Sequence, residues 1–189
     1  MNRLALLVGL GNPGPQYLKT RHNAGFWFVD EVASRNGAQF AWQARFGGWE
    51  AVFHHQGEGV HLLKPGQYMN RSGGPVAAVC RYYQIAPERL LVAHDELNFA
   101  PGVVRLKKDG GHGGHNGLRS IIEYLGSNQF FRLRIGIGRP KHGSVVDYVL
   151  GRPTEEEQAE IGAAIDQAAT LVPQLLEGEV ERVMNLLHK

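Results

Sequence analysis

The sequence predicts an α/β fold: one domain spanning residues 1–189, built on a twisted mixed β-sheet flanked by helices on both faces, with a helical C-terminal tail. Three observations predict it. Leu4–Leu10, Leu90–His94 and Leu133–Ile137 are unbroken apolar runs of strand length, the pattern of strands covered on both faces. Segments with apolar residues at helical spacing lie between them, as parallel strands require of their connections. Trp49–His54 and Val60–Leu63 flank the turn-forming Gln56-Gly57-Glu58-Gly59, so a hairpin adds antiparallel pairing. A chain of 189 residues, 43% of them hydrophobic, suits one sizeable core better than two small ones.

The elements follow in order. The first strand ends in the turn-rich Gly11-Asn12-Pro13-Gly14-Pro15, and Phe26, Val29, Val32 and Ala33 give Ala24–Ala33 a helical period after Asn23, a suitable N-cap. After the hairpin, Ser72–Tyr83 reads as a helix, with Asn70 available as its cap. Leu90–His94 is a strand that delivers Asp95 at its end. Gly102–Lys107 alternates like a half-exposed strand, a glycine-rich loop follows, and Gly117–Leu125 reads as a helix opened by Asn116. Beyond the strand Leu133–Ile137, Thr154 and Glu157 make a capping box for a long helix that Pro173 interrupts, and a short helix closes the chain.

Composition narrows the function. The single cysteine, Cys80, permits no intramolecular disulfide and points to a reducing compartment, the cytoplasm by default. Met1–Leu10 enters a strand with no small-residue cleavage site, and no apolar run approaches the ~20 residues of a membrane span, so neither leader nor membrane partner is expected. The formal net charge is only +2, but its distribution is uneven. Arg105, Lys107, Lys108, Arg119, Arg132, Arg134, Arg139 and Lys141 face only Asp109 and Glu123 in their segment, a basic stretch suited to an anionic partner.

Several residue patterns carry possible chemistry. Gly9-Leu10-Gly11-Asn12-Pro13-Gly14 spells the GxGxxG of dinucleotide-binding turns, but Pro13 and Pro15 disfavour the helix that should start there. Asp30, the acid at about the expected distance, sits inside a helical pattern instead of ending a strand. A nicotinamide enzyme is therefore the weakest reading. His22 stands just before a helix and Asp95 at a strand end, where open α/β sheets place their ligand crevice. A carboxylate accepting from one ring nitrogen leaves the other to take a proton from water. The side-chain amides of Asn12, Asn70 and Asn116 at loop ends suit an acyl group held by hydrogen bonds. His112-Gly113-Gly114-His115 lacks the partners of a metal site, and neither a GxSxG elbow nor an exposed cysteine offers a covalent nucleophile. No metal and no cofactor are expected; the nucleophile is water.

Together these segments form one signature. Val8-Gly9-Leu10-Gly11-Asn12-Pro13-Gly14, Thr20-Arg21-His22-Asn23-Ala24-Gly25, Tyr68-Met69-Asn70, His94-Asp95-Glu96-Leu97 and Gly113-Gly114-His115-Asn116-Gly117-Leu118 occur in an order that resembles the bacterial peptidyl-tRNA hydrolases. The resemblance runs from about Leu7 to Leu150. It implies a monomeric esterase that frees peptide from the 3′-terminal ribose of tRNA during translation, with peptidyl-tRNA, its acceptor end and its terminal adenosine, as partner. It also implies roles: His22 as proton acceptor, Asp95 as the group keeping it basic, Asn12 in telling blocked from free aminoacyl-tRNA, and Asn70 and Asn116 on the acyl end. By the same resemblance Tyr17 and Tyr68 line the groove, and Lys107 and Arg134 clamp tRNA phosphate. Lys108 and Asp109 depart from the pattern and put an acid beside that clamp, and Gly66-Gln67 replace small hydroxyl residues ahead of Tyr68. The rival reading is a non-catalytic RNA-binding relative on the same fold; it ranks below the enzyme because this chain keeps His22, Asp95 and all three asparagines.

Overall fold

In the computed structural model, which describes residues 3–188, seven strands form a single mixed sheet in the order β2-β3-β4-β1-β5-β7-β6. The strands are β1 (Leu6–Gly9), β2 (Ala41–Gln43), β3 (Gly48–His55), β4 (Glu58–Pro65), β5 (Leu90–Glu96), β6 (Val104–Lys108) and β7 (Phe131–Gly136). β1 is parallel to both β4 and β5, and β5 to β7, whereas β2, β3 and β6 pair antiparallel with their neighbours. β1, β5 and β7 are the strands the apolar runs foretold, because strands inside the sheet bury both faces, and β3 and β4 are the expected hairpin. The hairpin closes at Gln56-Gly57, both with positive φ (51° and 80°), as a two-residue turn between twisted strands requires.

Helices cover both faces. On one, α1 (Ala24–Arg35) packs with α5 (Glu155–Thr170), α6 (Val172–Leu176) and α7 (Val180–Leu187) around Phe28, Val29, Leu91, Leu133, Ile161 and Val183. On the other, α2 (Gly73–Tyr83) and α3 (Asn116–Leu125) close over Leu6, Val8, Leu63, Val92 and Ile121. The short α4 (Val145–Val149) joins the first of these layers through buried Val149, with Tyr148 packed against it. Among the described residues, no helix is long and apolar enough to cross a membrane. Because β1 lies between β4 and β5, the chain leaves it to one side with α1 and returns to the other through α2. That reversal opens a crevice at the carboxyl ends of β1 and β5.

The expected capping box is present: Thr154 Oγ1 accepts from Glu157 N, and Glu157 Oε1 from Thr154 N. The long helix stops at Thr170, and Pro173 lies in the first turn of α6, where its missing N–H costs nothing. Two other caps differ from the sequence reading. Ser72, not Asn70, occupies the N-cap of α2, since Asn70 lies in a preceding 3₁₀ turn, Met69–Arg71. α3 begins at Asn116 itself and is capped by His115, whose Nδ1 accepts from Gly117 N and Leu118 N. Asn23 does hold the N-cap position of α1, but its side chain is drawn elsewhere.

Two glycines let α1 lie directly on the strands. A Cβ on Gly25 would fall 2.3 Å from Ala93 O and 2.5 Å from Leu10 N, and one on Gly9 would fall 2.2 Å from Gly25 O. All three contacts are backbone, so no side chain can yield. Gly25→Ala is therefore expected to cost about 2–3 kcal/mol as overpacking. At about 2–4 °C per kcal/mol for a chain of this size, calorimetry should find Tm lower by roughly 4–12 °C.

Candidate active site

Asp95 lies at the carboxyl end of β5 and is only 4% exposed. Both of its oxygens are used. His22 Nδ1 donates to Oδ2 at 2.8 Å, and His115 Nε2 donates to Oδ1 at 2.8 Å. Burial opposes ionisation of this carboxyl, but the two histidines override it and hold the group well below the usual carboxylate range. His22 stands in the 3₁₀ turn Arg21–Asn23 that leads into α1, which brings it over the end of β5. Burial alone would depress His22, yet the charge and hydrogen bond of Asp95 outweigh it and raise the imidazole above its ordinary value. With Nδ1 committed to Asp95, Nε2 of His22 carries the free lone pair, the arrangement a general base needs.

His115 has its proton placed by two partners. Its Nδ1 accepts from the amides that open α3, so the proton resides on Nε2, facing Asp95. The rings of His22 and His115 lie 5.2 Å apart. A third histidine, His94, is fully buried beneath them and makes one bond, Nδ1 to Asp95 O. Burial and the neighbouring His115 push its pKa down to about 4, so it is neutral near pH 7. His22, Asp95 and His115 come within 4.8 Å of one another, close enough to hold a metal ion. Their donor atoms are spent on mutual hydrogen bonds instead, with two ring protons lying between the nitrogens and the carboxylate.

The asparagines divide into two roles. Asn12 N donates to Asn23 Oδ1 at 2.9 Å, and Asn23 Nδ2 donates to Asn12 O at 3.0 Å, locking the loop after β1 to the residue beside His22. Asn12 Oδ1 in turn accepts from Met69 N at 2.7 Å. A backbone amide can only donate, so this bond fixes the flip of the Asn12 amide and turns its NH₂ away from Met69. Asn70 is exposed on the turn that follows, and Tyr17 and Tyr68 form an edge-to-face pair, centroids 6.1 Å apart. These side chains form one flank of the site.

The other flank is a cavity of about 590 Å³ lined by His22, Asp95, His115 and Asn116, by Lys107, Arg132 and Arg134, and by the apolar Val145, Val146, Val149 and Leu150 on and beside α4. Thus the structure brings His22, Asp95, Asn116, Lys107 and Arg134 to one cavity, while Asn12, Tyr17, Tyr68 and Asn70 lie outside its lining. Three contributors escaped the sequence reading. His115 is visible as a histidine before a helix, but its bond to Asp95 is not. Asn23 is visible only as a cap. Arg21 reaches from beside His22 to α4 and α5: its guanidinium lies 4.0 Å over the Tyr148 ring, Nη1 donates to Tyr148 O, and Nη2 pairs with Glu157 at 2.9 Å. No spacing rule joins residues 21, 148 and 157.

Comparison with known proteins shows the family. The family model described as peptidyl-tRNA hydrolase matches residues 6–189. The peptidyl-tRNA hydrolase of Methylococcus capsulatus is 56% identical over 184 residues, covering 97% of this chain and 98% of the relative. That of Pseudomonas aeruginosa is 51% identical over 190 residues, covering 100% and 98%. The crystal structure of peptidyl-tRNA hydrolase from Acinetobacter baumannii superposes with a TM-score of 0.95 at 48% identity, over 99% of this chain and 95% of that one.

A titration of the ring signals by NMR checks the electrostatics. The His22 midpoint is expected above 6.5 in the wild type and below 6.5 in Asp95→Asn, where burial acts without the opposing carboxylate. Because the native value is raised, the protonated pair adds stability below pH 6.5, and that contribution is lost as pH rises through the native midpoint.

Proposed function

The chain belongs to the peptidyl-tRNA hydrolase family and hydrolyses the ester of peptidyl-tRNA, and from that premise we propose that His22 is the general base of the reaction and Asp95 the group that orients it. The observation that carries this reading is the 2.8 Å bond from His22 Nδ1 to a buried, ionised Asp95. It leaves Nε2 to accept the proton of a water that attacks the ester carbonyl. The ribose oxygen of tRNA then departs with a proton returned from His22. General-base assistance of this kind contributes about 10²- to 10⁴-fold. An ester is activated enough to need no metal.

Amide donors face the charge that gathers on the carbonyl oxygen. Asn116 lines the cavity beside His22, and its position at the first turn of α3 adds the favourable end of a helix dipole. Asn70 holds the acyl end, and Tyr17 and Tyr68 wall the groove beyond it. Asn12, with Oδ1 fixed by Met69, presents NH₂ donors to the acylated amine. A free aminoacyl ammonium cannot accept those bonds and would leave them unpaired, which explains a preference for blocked substrates. Lys107 and Arg134 lie in the same cavity as His22 and meet phosphate of the acceptor end, while the terminal adenosine lies at the groove. The protein acts in the cytoplasm as a monomer, returning tRNA to translation.

Release of N-acetyl amino acid from N-acetyl-aminoacyl-tRNA, beside the unblocked ester and with chelator present, tests the proposal. Cleavage of the blocked substrate is expected to survive the chelator and to vanish in His22→Ala, with tRNA binding kept; near-normal turnover by pure His22→Ala would sink the mechanism. The rate should climb with pH through the raised His22 midpoint and then level, since only the neutral imidazole accepts a proton. Asn12→Ala is expected to lower kcat/KM for the blocked substrate by about 10- to 100-fold, the worth of one or two well-placed donors, while changing the unblocked rate far less. Equal losses on both substrates would remove Asn12 from discrimination.

A further inference from the structure

Beyond Tyr17 and Tyr68, the flank of the site continues onto the β2–β3 edge of the sheet. β4 runs parallel to β1, so the turn that follows it, from Gly66 to Tyr68, lies at the carboxyl end where the crevice opens. The hairpin brings two tryptophans to that end. Trp49 stands opposite Lys64 across β3 and β4, and Trp42 opposite Trp49 across β2 and β3, so the three side chains share one face. It is the face that α1 covers, because Lys64 Nζ donates to Asp30 of that helix at 2.7 Å. The indoles of Trp42 and Trp49 meet edge to face, centroids 5.0 Å apart.

Trp42 reaches further than its neighbour. Its six-membered ring crosses β3 to the end of β4 and lies on Gly66, where a Cβ would collide with Cζ3 and fall 2.7 Å from Cη2. Gly66 is thus a flat seat, and any side chain there would lift the indole away. Tyr68, two residues on, is exposed as Trp42 is. The same face leads back to the site through Phe26. Its ring lies 5.8 Å from Lys64 Nζ, and a Cβ on Gly11, next to Asn12, would meet it at 2.7 Å. An indole held on one side and 50% exposed on the other is a rigid apolar contact surface, able to bind at little cost in side-chain entropy.

Resting on the reading of Tyr17 and Tyr68 as walls of the acyl groove, we propose that Trp42, seated on Gly66, extends that groove and selects peptides with apolar side chains upstream of the esterified residue. Two observations make the peptide the occupant. The surface is continuous with the flank that carries Asn12, Tyr68 and Asn70. Its charge is also spent: Lys64 pairs with Asp30 and lies 4.3 Å over the Phe40 ring, which leaves little for a phosphate, whereas Lys107 and Arg134 line the cavity on the other flank. Trp42 acts on binding and not on the chemical step, since an apolar contact away from the ester is the same in the ground state and the transition state.

Steady-state kinetics on peptidyl-tRNAs that share one tRNA and a C-terminal alanine, acetylated and carrying either four leucines or four serines upstream, test the assignment. Wild type is expected to favour the leucine substrate by about tenfold in kcat/KM, the worth of one partly buried leucine side chain, with the difference in KM and equal kcat. Trp42→Ala should bring the ratio below about twofold, Trp42→Phe should keep roughly half of it, and Gly66→Ser, which displaces the indole, should fall between wild type and Trp42→Ala. Circular dichroism and melting confirm that each variant is folded. Should Trp42→Ala fail to fold, Trp42→Gln, which keeps a long side chain without an aromatic face, is read in its place. Tyr82→Ala removes a similarly exposed aromatic from α2 and should leave the ratio at its wild-type value. A ratio that survives Trp42→Ala, or that Tyr82→Ala abolishes as well, overturns the proposal. So does weaker binding of deacylated tRNA by Trp42→Ala with the ratio kept, which would assign the indole to a nucleotide base. Equal cleavage of both substrates by wild type overturns the inference and leaves the function intact, whereas cleavage of neither, nor of N-acetyl-alanyl-tRNA, would remove the function on which it rests.

Discussion

A buried carboxylate with two oxygens and two imidazoles to satisfy them organises this molecule. Asp95 emerges where β5 ends, too deep for water to solvate its charge, and stays ionised because His22 and His115 each donate a hydrogen bond to it. Either histidine missing would leave a buried oxygen unpaired, which costs more than the bond itself contributes. Satisfying Asp95 therefore dictates where two distant segments must lie. One is the turn that follows β1 and carries His22. The other is the start of α3, where His115 meets Asp95 with one ring nitrogen and the opening amides of the helix with the other. A single proton position on His115 meets both demands, and the cap of α3 and the satisfaction of Asp95 become one problem.

The second constraint is how this centre is tied to the walls around it. Asn23 bridges to the backbone of Asn12, and Asn12 to the backbone of Met69, so the loop after β1 and the turn before α2 move as one flank. On the opposite side Arg21 does the corresponding work. It stacks on Tyr148, whose helix contributes the apolar side of the cavity, and pairs with Glu157, which also completes the capping box of α5. The acidic C-terminal region thereby reaches the residue adjacent to His22. The two flanks differ in polarity: amides and aromatic edges on one, cations and valines on the other.

Much of this was legible from the chain. Continuous apolar runs marked β1, β5 and β7 because burial on both faces leaves no room for alternation, and the turn around Gln56-Gly57 marked the hairpin because few residues tolerate its backbone. The Thr154–Glu157 box was readable because a cap satisfies its partners within one helical turn. Other caps misled for a complementary reason. Asn70 and Asn116 are chemically able to cap, but Ser72 and His115 stand nearer the helix openings, and local chemistry alone cannot rank competing acceptors. The signature of five segments placed His22, Asp95, Asn12, Asn70 and Asn116 by resemblance, and it carried no geometry.

By itself, then, the sequence determined the kind of structure and the set of reactive groups, since apolar period, turn chemistry and residue type act over a few positions and are written there directly. Which groups meet was decided only by the tertiary structure. The sheet order sets β5 beside β1 and β7, and so brings Asp95 to His22, faces Lys107 with Arg132, and leaves Arg134 to Glu96. Those partnerships arise from strand register and from the demand that buried charge be paired, and neither has a fixed spacing along the chain.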